Sequence, residues 1–177
     1  MTLLSDLRRE KNYQAFRRLQ QCPDYVDVTF DIMSGGISAI HKEHCFDKQI
    51  GPFGYPRGQY ELEVVNLLRK KGYSILLESE YPKGKRIKAY DAVINGSTAE
   101  IKTIESDGRW SVRTKVYSAI RQGAQTLVLY YPKSAVFSLY KVLEGWHLNN
   151  CVDTESMLNR IIVLVENDIL EIIKPPG

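Results

Sequence analysis

Apolar and polar positions sort this chain into short segments of different period. In residues 59–71 the apolar side chains Leu62, Val64, Val65, Leu67 and Leu68 recur at helical spacing, which predicts an amphipathic helix closed by Gly72. Residues 73–77 read as a strand. Residues 90–102 then read as a hairpin: β-branched Val93 and Ile94, the turn pair Asn95-Gly96, and a second extended run. A narrow stripe of Val112, Val116, Ala119, Ile120 and Gly123 predicts a helix over 111–124, and 126–131 is a strand stopped by Pro132. A helix or mixed segment follows over 134–149. The chain closes on a second hairpin, 161–165 and 169–173, around Glu166-Asn167-Asp168.

Upstream, residues 4–20 have helix character with Ser5 or Asp6 as N-cap, and Cys22-Pro23 ends that helix. Residues 25–32 alternate like a strand or extended arm until Gly35-Gly36. Residues 37–56 show no period and read as an ordered loop rich in Gly, His and aromatics. The central order is helix, three strands, helix, strand. It predicts an α/β (α+β) fold: a mixed sheet flanked by helices, with an αβββαβ core, an N-terminal arm and a C-terminal hairpin. Residues 1–57 form the helix and His/Gly-rich arm packed on a core of residues 58–177, together one structural domain.

Composition narrows the class. With 177 residues, 44% hydrophobic and 25% charged, the chain is long enough for a real core. Three cysteines (Cys22, Cys45, Cys151) are odd in number and without paired spacing, which argues against a disulfide scaffold and for a reducing cytoplasm. The first residues do not read as a signal peptide, and no apolar run approaches membrane-spanning length. Cytoplasmic action is the expectation, and a toxin delivered into a target cell would look the same. Net charge is only +3, but it is clustered. Arg8, Arg9, Lys11, Arg17 and Arg18 crowd the N-terminal segment. Lys83, Lys85, Arg86 and Lys88 precede the central hairpin, and Arg109, Arg113, Lys115 and Arg121 follow it, as a phosphate backbone would require.

The hairpin carries the chemistry. Glu100 and Lys102 are two apart on a strand and share a face, and Asp91 lies within reach at the foot of the opposite strand. Two carboxylates with a lysine beyond the second can hold Mg²⁺ or Mn²⁺ and position a water for phosphodiester hydrolysis. The plain alternative is a surface cross-strand ion pair with a turn aspartate.

Gly58-Gln59-Tyr60-Glu61, Leu67-Leu68, Lys71-Gly72-Tyr73, Asp91 and Glu100-Ile101-Lys102 together resemble the core of PD-(D/E)XK nucleases, over residues 58–131. Archaeal Holliday-junction resolvases and compact restriction-like toxins show the same order. Here Tyr90-Asp91 replaces Pro-Asp. The resemblance implies that Asp91 and Glu100 ligate the metal with the Ile101 carbonyl, and that Lys102 orients the water and stabilises developing charge. It also implies that Glu61 (or Glu63, if the helical phase differs) is an additional metal or water ligand. A glutamine on the following helix, Gln122 or Gln125, is expected near the site.

The whole layout, from Ser34-Gly35-Gly36 through residues 39–47 to the Glu-bearing helix, is also similar to toxin domains of phages and mobile elements. Their nuclease modules include contact-dependent-inhibition tRNases of the barnase/EndoU/colicin/RelE type, which cut RNA without metal. That likeness implies His41 or His44 as base or acid, Lys102, Arg113 or Thr114 on phosphate, and a cognate immunity protein. His41 and His44 beside Cys45 also admit zinc, though no second Cys/His pair exists. Tyr117, Tyr130, Tyr131, Phe137 and Tyr140 could stack bases, Tyr130 and Phe137 reading better as core. Trp110 is the best stacking candidate, or else a cover over the sheet edge. A third possibility is a non-catalytic adaptor that keeps a nuclease-like fold and either binds nucleic acid through its basic clusters or docks on a larger phage or toxin protein.

Overall fold

Every residue of Thr126–Tyr131 is buried, so this strand must be covered on both faces. The computed structural model describes residues 3–79, 90–106, 108, 110–133, 135–150 and 158–173, and in it helices supply both covers. Elements run α1 (Leu3–Gln20), β1 (Tyr25–Phe30), β2 (Ile37–His41), α2 (Arg57–Lys70), β3 (Ser74–Leu77), β4 (Ala92–Ile94) and β5 (Ser97–Thr103). They continue α3 (Ser111–Arg121), β6 (Thr126–Tyr131), α4 (Leu139–Asn150), β7 (Arg160–Val165) and β8 (Asp168–Ile173).

The eight strands of the described residues join one mixed sheet in chain order. The pairs β2/β3, β5/β6 and β6/β7 are parallel, and α2, α3 and α4 make the three crossovers. The remaining pairs are antiparallel. This is the expected α+β architecture. Strand alternation sorts the core into two layers. Tyr60, Val64, Val65 and Leu68 of α2 pack on Ile75, Ile94, Ala99, Ile101, Val128 and Tyr130. On the other face Val112, Val116 and Ala119 of α3, with Val142 and Trp146 of α4, pack on Leu127, Leu129, Ile161 and Val163.

The predicted Asn95-Gly96 turn forms with both residues at positive φ, 50° and 86°, the twist that matches flanking strands. One expectation fails. Residues 37–41, read as loop, are β2, buried on its parallel contact with β3. With neighbours on both sides, Ile37 and Ala39 are fully buried, and a five-residue run is too short to show a period. Gly36 just before it is obligatory, since a Cβ there would lie 1.9 Å from the Arg69 carbonyl oxygen at the end of α2. No helix among the described residues is long and apolar enough to cross a membrane.

Candidate active site

The sheet opens at one place. β4 pairs with β5 only from Ala92↔Ala99 to Ile94↔Ser97, whereas β5 continues to Thr103 against β6. Beyond Ala99 the β4-facing edge of β5 has lost its strand partner. The Asp91 side chain takes that place: its Oδ2 accepts the Ile101 amide hydrogen at 3.0 Å. The Ile101 carbonyl lies on the same edge. The Asp91 carbonyl in turn accepts the Glu78 N–H at 3.0 Å, which fixes the residue against the end of β3.

Glu100 and Lys102 project from the sheet face opposite Ile101, the face that carries α3. Glu100 is fully buried and Asp91 nearly so. The Lys102 ammonium bridges them, 3.4 Å from Asp91 Oδ2 and in direct contact with Glu100 Oε2. Burial, and after it the Asp91 charge, push the Glu100 carboxyl up to about 8 despite the lysine. Its other oxygen, Oε1, is buried without a hydrogen-bond partner. An orphaned carboxylate oxygen beside a second acid is an expensive arrangement for an apolar core, and it fits a hard cation. The described residues contain no group of three or more His, Cys, Asp or Glu able to hold a metal, so a two-carboxylate site would draw its other ligands from the Ile101 carbonyl and water.

Asp91 and Lys102 open on a cleft of about 760 Å³, walled also by Asp47, Arg57, Glu61, Glu105 and Lys115 among others, while Glu100 stays buried against Lys102. Glu61 of α2 reaches it, and Glu63 does not: Glu63 Oε2 accepts the Tyr130 hydroxyl at 2.5 Å on the α2-covered layer. Lys115, on the first turns of α3, enters the cleft, and burial lowers its pKa. Arg57 and Glu105, which sequence reading passed over, form a two-toothed ion pair across the cleft at 2.6 and 3.0 Å. Arg57 opens α2 and Glu105 follows β5, 48 positions apart, and no local pattern announces such a pair.

Other candidates fall elsewhere. The His44 side chain is fully buried, with Nδ1 2.7 Å from the Glu78 carbonyl oxygen and Nε2 3.0 Å from Glu61 Oε2. His41 is not among the cleft walls. Its Nδ1 accepts the Glu43 amide hydrogen, and its ring meets Tyr25 edge-on. The two histidines therefore do not form a joint acid–base pair in the cleft, nor a zinc cluster among the described residues. Gln122 caps the far end of α3, where its Oε1 accepts the Ser118 hydroxyl. Gln125 Oε1 faces the Thr98 amide at the hairpin end of β5. The crossover reverses direction, so α3 turns its first residues toward Lys102 and its glutamines away. Trp110 precedes α3, half exposed, with the Arg113 guanidinium 5.2 Å over its ring, and neither lines the cleft. Lys85, Arg86 and Lys88 lie outside the described residues.

No protein-family model matches the chain, and no curated protein does. Among solved structures, a chain of a CdiA-CT/CdiI toxin and immunity complex from Burkholderia pseudomallei has a similar fold. The TM-score is 0.52 at 18% identity, over 77% of this chain and 98% of that one. At that identity the likeness is one of fold. It is a fold found in a chain of a toxin–immunity pair.

Proposed function

We propose that this chain is a small toxin-type nuclease that hydrolyses phosphodiester bonds in DNA or structured RNA with a divalent metal. The observation that carries this reading is that Asp91 and Lys102, with Glu61, line one open cleft where β4 leaves β5, and that Lys102 joins them to the buried carboxylate of Glu100. A surface ion pair or an adaptor that had lost its site would not need two buried carboxylates, one of them holding its proton near neutrality.

Asp91 and Glu100, with the Ile101 carbonyl, would hold Mg²⁺ or Mn²⁺, which when bound supplies Lewis-acid polarisation of the phosphate and a more acidic water. Lys102 offsets part of the charge of the carboxylate pair and offers its ammonium to charge that develops on the phosphate oxygens. Lys115, partly desolvated beside it, provides a second cation for the backbone. Glu61 accepts a hydrogen bond from the attacking water and fixes its direction. The basic segments flanking the hairpin in sequence supply non-specific attraction. The toxin–immunity complex with a similar fold supports a cognate immunity protein as partner.

The metal-independent RNase reading has less support, since both ring nitrogens of His44 are engaged by the Glu78 carbonyl and Glu61 and His41 is outside the cleft. Purified protein incubated with plasmid and with tRNA, with Mg²⁺ or with EDTA, tests the proposal. Cutting that needs the metal and is lost in Glu100→Ala is expected. Cutting indifferent to both EDTA and this substitution would overturn it.

A further inference from the structure

His44 is the side chain best placed to control Glu61. It follows β2 in a turn whose own backbone is tied, the His44 amide donating to the His41 carbonyl at 2.9 Å. The ring is completely buried, edge-on to Phe46 at 4.7 Å, and so has no freedom to reorient toward solvent. Both ring nitrogens face oxygens: the Glu78 carbonyl at 2.7 Å and Glu61 Oε2 at 3.0 Å.

A carbonyl oxygen only accepts, so Nδ1 carries a proton. Nε2 then meets a carboxylate, and a hydrogen bond there requires a second proton, on Nε2 or on Glu61 itself. In either arrangement the two side chains form a unit of zero net charge. Glu61 Oε2 is thereby occupied. Oε1 takes no hydrogen bond from any described residue and belongs to the partly exposed side chain that walls the cleft. The connection also runs to the metal-binding side. Glu78, which holds the ring through its carbonyl, donates its amide to the Asp91 carbonyl. His44 thus ties α2 to the β3 end against which Asp91 is fixed.

We infer that His44 is a positioning residue: it clamps Glu61 in a charge-neutral pair and presents the second carboxylate oxygen to the cleft at a set place relative to Asp91. This rests on the nuclease reading for the role of Glu61, but the clamp itself does not. The clamp reaches the cleft through Glu61, so its loss and the loss of Glu61 should not add.

The test is a double-mutant cycle of His44→Ala, Glu61→Ala and the pair, read as kcat and KM on the nucleic acid that the wild type cuts. It is combined with ¹⁵N spectra of the histidine rings at pH 7. Each single variant is expected to lower kcat by about 10–100-fold with KM little changed, and the double to be no slower than the worse single. His44→Gln, which keeps one donor, is expected to recover part of the loss. The His44 spectrum is expected to show two protonated ring nitrogens, or a proton shared at Nε2, and to become a single-proton Nδ1–H ring in Glu61→Ala. Additive losses, or a ring spectrum indifferent to Glu61→Ala, would overturn the inference. If the wild type cuts no nucleic acid, the nuclease reading falls, and the ring spectra alone decide whether the clamp exists.

Discussion

Asp91 does for Ile101 what a neighbouring strand would do. Its Oδ2 accepts the Ile101 amide hydrogen at 3.0 Å at the point where β4 has already left β5. One carboxylate therefore serves the fold and the site together. Asp91→Ala would strand a buried amide, at a cost of about 1–3 kcal/mol, while Asp91→Asn keeps an acceptor and removes only charge. Urea unfolding without metal should place Asn above Ala in stability, with both inactive. Equal stabilities would mean that the hydrogen bond contributes nothing.

Glu100 gives a pH dependence with a defined sign. Its folded pKa is raised from 4.5 to about 8, first by burial and then by Asp91. Between those values the folded state holds a proton that the unfolded chain has released, so stability falls as pH rises. The penalty is absent below the unfolded value and complete above the folded one. Metal-free protein should thus melt at lower temperature at pH 9 than at pH 6. Glu100→Gln should flatten that slope and raise stability at pH 9 by about 3 kcal/mol. A steeper slope in the Gln variant would refute the assignment.

Lys102 opposes the same penalty. It is the ammonium that touches both acids, so Lys102→Ala leaves two buried carboxylates uncompensated where both are ionised. The expected loss is about 3 kcal/mol at pH 9 and smaller at pH 6, where Glu100 takes up a proton instead. Thermal melts at the two pH values measure it. Cleavage should fall by at least 100-fold at either pH.

The helical phase of α2 makes a sharp comparison. Glu61 faces the cleft, and Glu63 bonds Tyr130. Glu61→Gln should reduce kcat at least tenfold, whereas Glu63→Gln should leave kcat within about twofold and show only in stability. The reverse order would require a different wall for the site.

Much of this was legible because it is local. Asn95-Gly96 fixes the hairpin, the two-residue spacing of Glu100 and Lys102 puts them on one face, and α2 and α3 declare their buried stripes. What was not legible depends on non-local geometry. β2 is built from a parallel contact with β3, which a five-residue run cannot announce. The glutamines of α3 sit at its far end because the crossover reverses the chain, a matter of direction rather than spacing. His44 was legible as a residue of interest, but its contact with Glu61 was not, because it depends on how the turn after β2 folds back onto α2.

The proposed nuclease activity depends on a divalent-metal site formed by Asp91 and Glu100 beside Lys102. A crystal of the protein soaked in Mn²⁺ and measured for anomalous scattering tests it most directly. A peak between the two carboxylates, lost in Glu100→Ala, is expected. A soaked crystal with no peak there, and with Lys102 still bridging both acids, would contradict it.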